Sequence, residues 1–190
     1  MLTPLIQHIQ RFISLTEEEI NVLTTYFTHR KTDKKEFLFQ EGQICPANYF
    51  VVKGCYRLYY VNDKGIENIV QFGIENWWIA DYMSLEKQIP SAFSLQAVEP
   101  GELLILEKQV QEELLEKVPK LERYFRIVAQ RANGASQIRI KYISELSGEE
   151  RYWQFTESFP EFVQRIPQYM LASYLGFTPE FLSKLRAKKR

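Results

Sequence analysis

The closing heptapeptide, KLRAKKR, carries five bases and no acid: Lys184, Arg186, Lys188, Lys189 and Arg190. Ammonium and guanidinium groups at that density pair well with phosphate, although a solvated tail has the same composition. Just upstream, in LASYLGFTPEFLSKLR, Leu171, Ala172, Leu175, Leu182 and Leu185 keep helical spacing across Gly176 and Pro179. Glycine and proline there break a continuous helix. The pattern predicts two short helices. Pro167 suits the start of the first, Thr178-Pro179-Glu180 caps and starts the second, and Gly176 takes the turn, where positive φ is cheap. Ala172 is small enough for the second helix to cross close by, and Phe177 joins the leucines between them. This is the spacing of a helix-turn-helix, whose second helix enters the DNA major groove. Off the Leu182/Leu185 stripe lie Thr178, Glu180, Phe181, Ser183, Lys184 and Arg186, which with Lys188 and Lys189 are the candidate DNA contacts. Glu180 can accept from a cytosine amino group, and Lys184 can donate to guanine or phosphate. A plain helical hairpin fills the same apolar places, and each polar residue read singly is also an ordinary exposed position.

Other chemistries find little material. Among 190 residues there are two histidines, His8 and His29, both placed before the first expected strand, and two cysteines, Cys45 and Cys55. A three-histidine metal site is impossible and a four-cysteine cluster is excluded. No strong base neighbours either cysteine in sequence, and no phosphate-cradling glycine motif is present. The residues predict no enzyme. Apolar residues make up 45% of the chain and formal net charge is zero, as expected of a globular protein rather than a disordered or uniformly basic one. No apolar run approaches the ~20 residues that cross a bilayer, and no secretion signal opens the sequence. The expected location is the cytoplasm, with no membrane partner.

These residues need elements to hold them. Thr16 and Glu19 form a capping box ahead of Ile20, Leu23 and Phe27, predicting a helix over 16–27. FLFQEGQ, NYFVVKG, YRLYYVND, IENIVQFG, SAFSLQAV and ELLIL then read as short strands, with turns at NDKG (62–65) and EPGE (99–102). Their even spacing predicts an antiparallel jelly roll or barrel. From VPKLERYF to about Leu146 the period changes to that of one long helix. Leu121, Phe125, Val128, Ala132, Ala135, Arg139, Tyr142 and Leu146 form a heptad seam, suited to a second copy of the chain or to the chain's own β module. A further helix is expected over 148–158. The fold class is α+β, divided into a β module (1–118), a dimerisation helix (119–146) and a helix-turn-helix unit (147–190).

A β module, a long helix and a C-terminal helix-turn-helix, in that order, resemble the Crp/Fnr family of bacterial transcription regulators. FLFQEGQ…NYFVVKGCYRLYY looks like the family's strand–glycine–strand opening, and LASYLGFTPEFLSKLR like its recognition motif. GEERYWQFTESFPEFVQRIPQYMLASYLGFTPE is similar to the branch found in Bacteroidetes-type bacteria. The resemblance implies a homodimer, double-stranded DNA as partner, a winged helix-turn-helix and, for an activator, a contact with RNA polymerase that no residue here identifies. It also implies an effector site in the β module, in a cassette running from Gly-Glu to Arg-Ser. Here Ala80-Asp81 and Pro90-Ser91 stand in those places. Losing the arginine's charge-assisted phosphate contact costs roughly 1.5–3 kcal/mol, so cyclic AMP is not expected as effector. The candidate pocket is Trp77, Trp78, Asp81, Tyr82 and Ser91, for an unidentified small molecule or none. Haem and iron–sulfur are not expected. The alternative is a sensor that acts through protein partners.

Overall fold

The computed structural model describes residues 2–187. Two helices open it, α1 (Thr3–Gln10) and α2 (Glu17–Tyr26). Eight strands follow: β1 (Thr28–Thr32), β2 (Phe37–Phe39), β3 (Ala47–Lys53), β4 (Tyr56–Val61), β5 (Glu67–Gly73), β6 (Trp78–Ile79), β7 (Ser94–Ala97) and β8 (Gly101–Glu107). Helix α3 (Tyr82–Lys87) separates β6 from β7. After β8 the described chain is all helical: α4 (Lys108–Lys117), α5 (Lys120–Glu145), α6 (Gly148–Ser158), α7 (Pro160–Arg165), α8 (Gln168–Leu175) and α9 (Pro179–Ala187). No strand that could form a wing follows β8 among the described residues.

The strands make two antiparallel four-stranded sheets, ordered β1-β8-β3-β6 and β2-β7-β4-β5, the jelly roll expected. Their alternation explains the long apolar runs. On β3, Ala47, Tyr49 and Val51 point between the sheets, and Phe50 points out. On β8, Leu103 points in while Leu104 and Leu106 point out. The outward residues are buried because helices cover them. Helices α1, α2, α4 and the start of α5 cover one sheet, joining Leu5, Ile9, Leu23, Leu114 and Leu121 to Phe50, Trp78, Leu104 and Leu106. The C-terminal helices cover the other, joining Leu171, Leu175, Leu182 and Leu185 to Cys55, Tyr59, Ile69, Phe72 and Val98. Strands buried on both faces read as continuous hydrophobic stretches rather than alternating ones.

Helix α2 carries the expected capping box, with Thr16 and Glu19 each bonded to the other's backbone N–H. A second, between Ser147 and Glu150, starts α6. Helices α1, α3, α4 and α7 and strands β1 and β6 lie where the sequence patterns assign no element. Strand β1 corrects one placement, since His29 sits within it and bonds Glu102 of β8 at 2.9 Å. No helix among the described residues is long and apolar enough to cross a membrane.

Candidate nucleic-acid interface and effector site

The helix-turn-helix forms as its spacing predicts. Helix α8 ends on Gly176, whose φ is +77°. There Gly176 N–H donates to Ser173 O (3.1 Å) and Phe177 N–H to Ala172 O (2.9 Å), the paired bonds of a left-handed glycine cap. Thr178 Oγ1 accepts from Phe181 N–H at 3.3 Å and so caps α9. Leu171, Ala172, Leu175, Leu182 and Leu185 are buried, with Met170 beside them. Hydrogen bonds at the start of α9, from its own backbone N–H and Thr178, hold the Glu180 carboxyl below its usual value, so it is an anion at neutral pH.

Thr178, the cap of α9, and Glu180, Phe181, Ser183, Lys184 and Arg186 on the helix are all exposed. Phe181 has a second role. Its ring lies 5.3 Å from that of Phe177, and it packs so tightly on Gly148 that a Cβ there would come within 2.7 Å of it. Lys188 and Lys189 lie outside the described residues. Residues 147–187 hold five carboxylates against four bases, so base placement matters more than total charge. Arg151 bonds Ile143 O and covers the Phe177 ring. Arg165 is tied to Glu75 and Glu99. Lys184 and Arg186 on α9 are left facing outward.

The long helix uses much of its expected seam within the chain. Leu121 is buried in the α1–α2–α4 cluster, and Phe125 and Val128 pack on it. Arg139 donates to Val70 O (2.7 Å), Ile69 O (3.3 Å) and Tyr174 O (2.9 Å), with its guanidinium 4.2 Å from the Tyr174 ring. These four of the eight seam residues therefore face their own chain. The reason is the helical cover over the outer faces of the sheets, which the seam alone does not reveal. Ala132 and Ala135 remain open and Tyr142 is half-buried. Ile138, Ile140 and Ile143, at 50%, 64% and 45% exposure, carry the helix's open apolar surface.

The five residues proposed for the effector pocket do not share one environment. Trp78 is buried on the outer face of its sheet, where Nε1–H donates to the Tyr124 hydroxyl oxygen Oη at 2.8 Å. Trp77 and Tyr82 are about half exposed. Asp81 and Ser91 do meet, and they engage each other. Asp81 Oδ1 accepts from the N–H groups of Met83 (3.1 Å) and Ser84 (3.2 Å), and Oδ2 from Ser91 Oγ (2.7 Å). Ser91 N–H donates to Gln43 O, and its carbonyl accepts from Gly42 N–H, both at 2.8 Å. The donors that could greet an anion in this cassette are bound by the chain's own carboxylate and carbonyl. Between the sheets, Phe39, Tyr49, Tyr56, Leu58, Ile79, Leu85, Leu95 and Leu103 form a buried cluster.

Sequence reasoning missed two polar networks. Arg57, buried on β4, bonds Gln96 Oε1 at 2.7 and 3.0 Å, pairs with Glu67 and stacks 4.1 Å over Tyr59. It lies on the sheet's outer side with Tyr59, away from the interior. Tyr124 OH joins Trp78 to His8 Nδ1, 2.8 Å away, linking β6, α5 and α1. Neither network has a sequence signature, because its partners come together only in the folded chain.

Residues 29–118 match the family model of the cyclic nucleotide-binding domain. Beyond that domain, the chain is 23% identical to the anaerobic regulatory protein of Haemophilus influenzae, over 90% of this chain and 71% of the relative. A second relative, regulatory protein HlyX of Actinobacillus pleuropneumoniae, is also 23% identical, over 90% of this chain and 76% of the relative. Solved structures agree on the fold of such regulators. FixK2 of Bradyrhizobium japonicum superposes with a TM-score of 0.73 at 16% identity, covering 85% of this chain and 83% of FixK2. The c-di-GMP responsive global regulator CLP of Xanthomonas campestris gives 0.74 at 13% identity and 91% coverage of both chains. The proteins it resembles are named as regulators.

Proposed function

We propose that this chain is a homodimeric, sequence-specific DNA-binding transcription regulator that reads an inverted repeat with α9 and does not take cyclic AMP as its effector. The observation that carries the reading is α9 itself. A glycine cap and a Thr178 cap fix its angle to α8, two buried leucines seat it, and Glu180, Ser183, Lys184 and Arg186 stand exposed along it. Glu180 and Lys184 are the base-reading pair, an acceptor for cytosine and a donor for guanine or phosphate. Arg186 and the basic residues after it supply phosphate contacts. The open surface of α5 around Ala132, Ala135, Ile140 and Ile143 supports pairing with a second copy, which sets two α9 helices about 34 Å apart, one turn of DNA. Such a regulator works in the cytoplasm, and an activator of this type also meets RNA polymerase, at no residue assigned here. The satisfied Asp81–Ser91 cassette supports a β module that is a structural support rather than a sensor.

Selection of bound sequences from a random duplex pool tests this, with Lys184→Ala and Glu180→Ala as comparison. The expected result is an inverted repeat whose preferred bases change in the variants. Loss of one phosphate contact in Arg186→Ala lowers the salt slope of binding by about 1. A folded protein that enriches no sequence refutes the reading and favours docking to a protein partner.

A further inference from the structure

The DNA-binding head is seated on the β module as well as tethered by α5. Strand β5 is the edge of its sheet, and an edge leaves backbone groups unpaired. Ser173 of α8 takes two of them, accepting from Ile69 N–H (3.0 Å) and donating to Glu67 O (2.8 Å). The β4–β5 register slips between Leu58 and Tyr59, leaving Val70 as the extra residue of a bulge. Arg139 binds the Val70 carbonyl, along with Ile69 O on the edge and Tyr174 O on α8. Phe72 of β5 packs against Phe162 (5.1 Å) and Tyr174 (5.2 Å) of the head.

A separate attachment lies on the turns of the roll. Arg165 of α7 forks onto both oxygens of Glu75 at 2.9 Å and reaches Glu99 Oε1 at 2.6 Å. Glu75 follows β5, and Glu99 sits in the β7–β8 turn. Glu75 Oε1 also accepts from Gly54 N–H at 2.9 Å, fixing the carboxylate to the β3–β4 turn. A forked arginine on an anchored carboxylate restricts orientation as well as distance. By contrast, the covalent link between α5 and α6 is only Leu146 and Ser147.

We infer that Arg165 and Arg139 are positioning residues that hold the head at one angle on the β module and so set the operator spacing the dimer accepts. The inference rests on the DNA-binding reading above. Adding one base pair between half-sites moves them apart by about 3.4 Å along the helix. It also turns one about the axis by roughly a tenth of a revolution. A head swivelling on a two-residue link follows that change, whereas a head clamped to the β5 edge and the turns does not, and the DNA must twist instead.

The test uses the full chain and a set of inverted repeats of the selected half-site, with the spacer varied by one and two base pairs either way. The wild type is expected to favour one spacer by about tenfold over its neighbours. Arg165→Gln and Glu75→Gln remove the same contact from opposite sides, one on the head and one on the β module. Both are expected to flatten the preference to within about threefold while base preference inside each half-site stays as in the wild type. Arg165→Lys, which keeps the charge but loses the fork, is expected to be intermediate. Variants that keep the wild-type spacing profile overturn the inference, as does equal weakening at every spacing, the mark of a lost phosphate contact or a damaged fold. A wild type indifferent to spacing also overturns it and leaves the DNA reading intact. A wild type that binds no repeat fails at the earlier step.

Discussion

Asp81 offers the sharpest check on the self-satisfied cassette. Its side chain is 6% exposed and accepts three hydrogen bonds, two from the first turn of α3 and one from Ser91. Replacing it with alanine removes an N-cap, a loss of about 0.5–2 kcal/mol. Ser91 is not stranded, because its hydroxyl also reaches Phe93 O at 3.0 Å. The sum is therefore about 1–2 kcal/mol, not the larger cost of an orphaned buried group. For a chain of this size that lowers Tm by about 2–8 °C. Asparagine keeps the Oδ1 acceptor and caps helices as well as aspartate does, so Asp81→Asn is expected to stay within about 0.5 kcal/mol of wild type. Thermal unfolding of the three proteins followed by circular dichroism measures both differences. If alanine costs nothing, the cassette is not held by these bonds. If asparagine costs as much as alanine, the carboxylate acts through its charge and the hydrogen-bond account is wrong.

Two further expectations follow from local geometry. A Cβ at Gly176 meets nothing within 4 Å, so Gly176→Ala pays only for its positive φ, about 1 kcal/mol by thermal unfolding. At Gly148 the problem is steric, because the added methyl meets the Phe181 ring; Gly148→Ala is expected to weaken DNA binding in a direct titration. Burial first, then Arg11 and Arg131, lower the His8 pKa below 6.5. The unfolded chain thus takes up the proton first as pH falls, and the folded state loses stability below about pH 6.5. Unfolding midpoints from pH ~7.5 to ~5.5 should show a decline that His8→Gln reduces, while the lowered carboxylates act at more acid pH.

The parts legible in the sequence were those with local signals. The α2 capping box, the Gly176 and Thr178 caps and the 26-residue α5 all rest on residues within a few positions of one another. Strand β1 was missed because THRKT is polar, and its pairing with β8 is visible only in three dimensions. Helix α1 had a readable signal in Pro4 at its start with Leu5 and Ile9 four apart. The seam on α5 was correct in period, yet period alone does not say which body it faces. Of the candidate pocket residues, Asp81 and Ser91 meet directly, at 2.7 Å. Their role changed because the acceptor that fills the cassette is Asp81 itself.

The covered edge of β5 bears on how divisible this chain is. Cutting after α5 would leave Ile69 N–H and the Glu67 carbonyl bare, next to Cys55, Tyr59, Phe72 and Val98 newly open to water. A naked strand beside an apolar patch invites strands from other copies, the route to aggregation or swapping. The β module cut at that point is therefore expected to be less soluble than the full chain, because the head's contacts are what cover its strand edge.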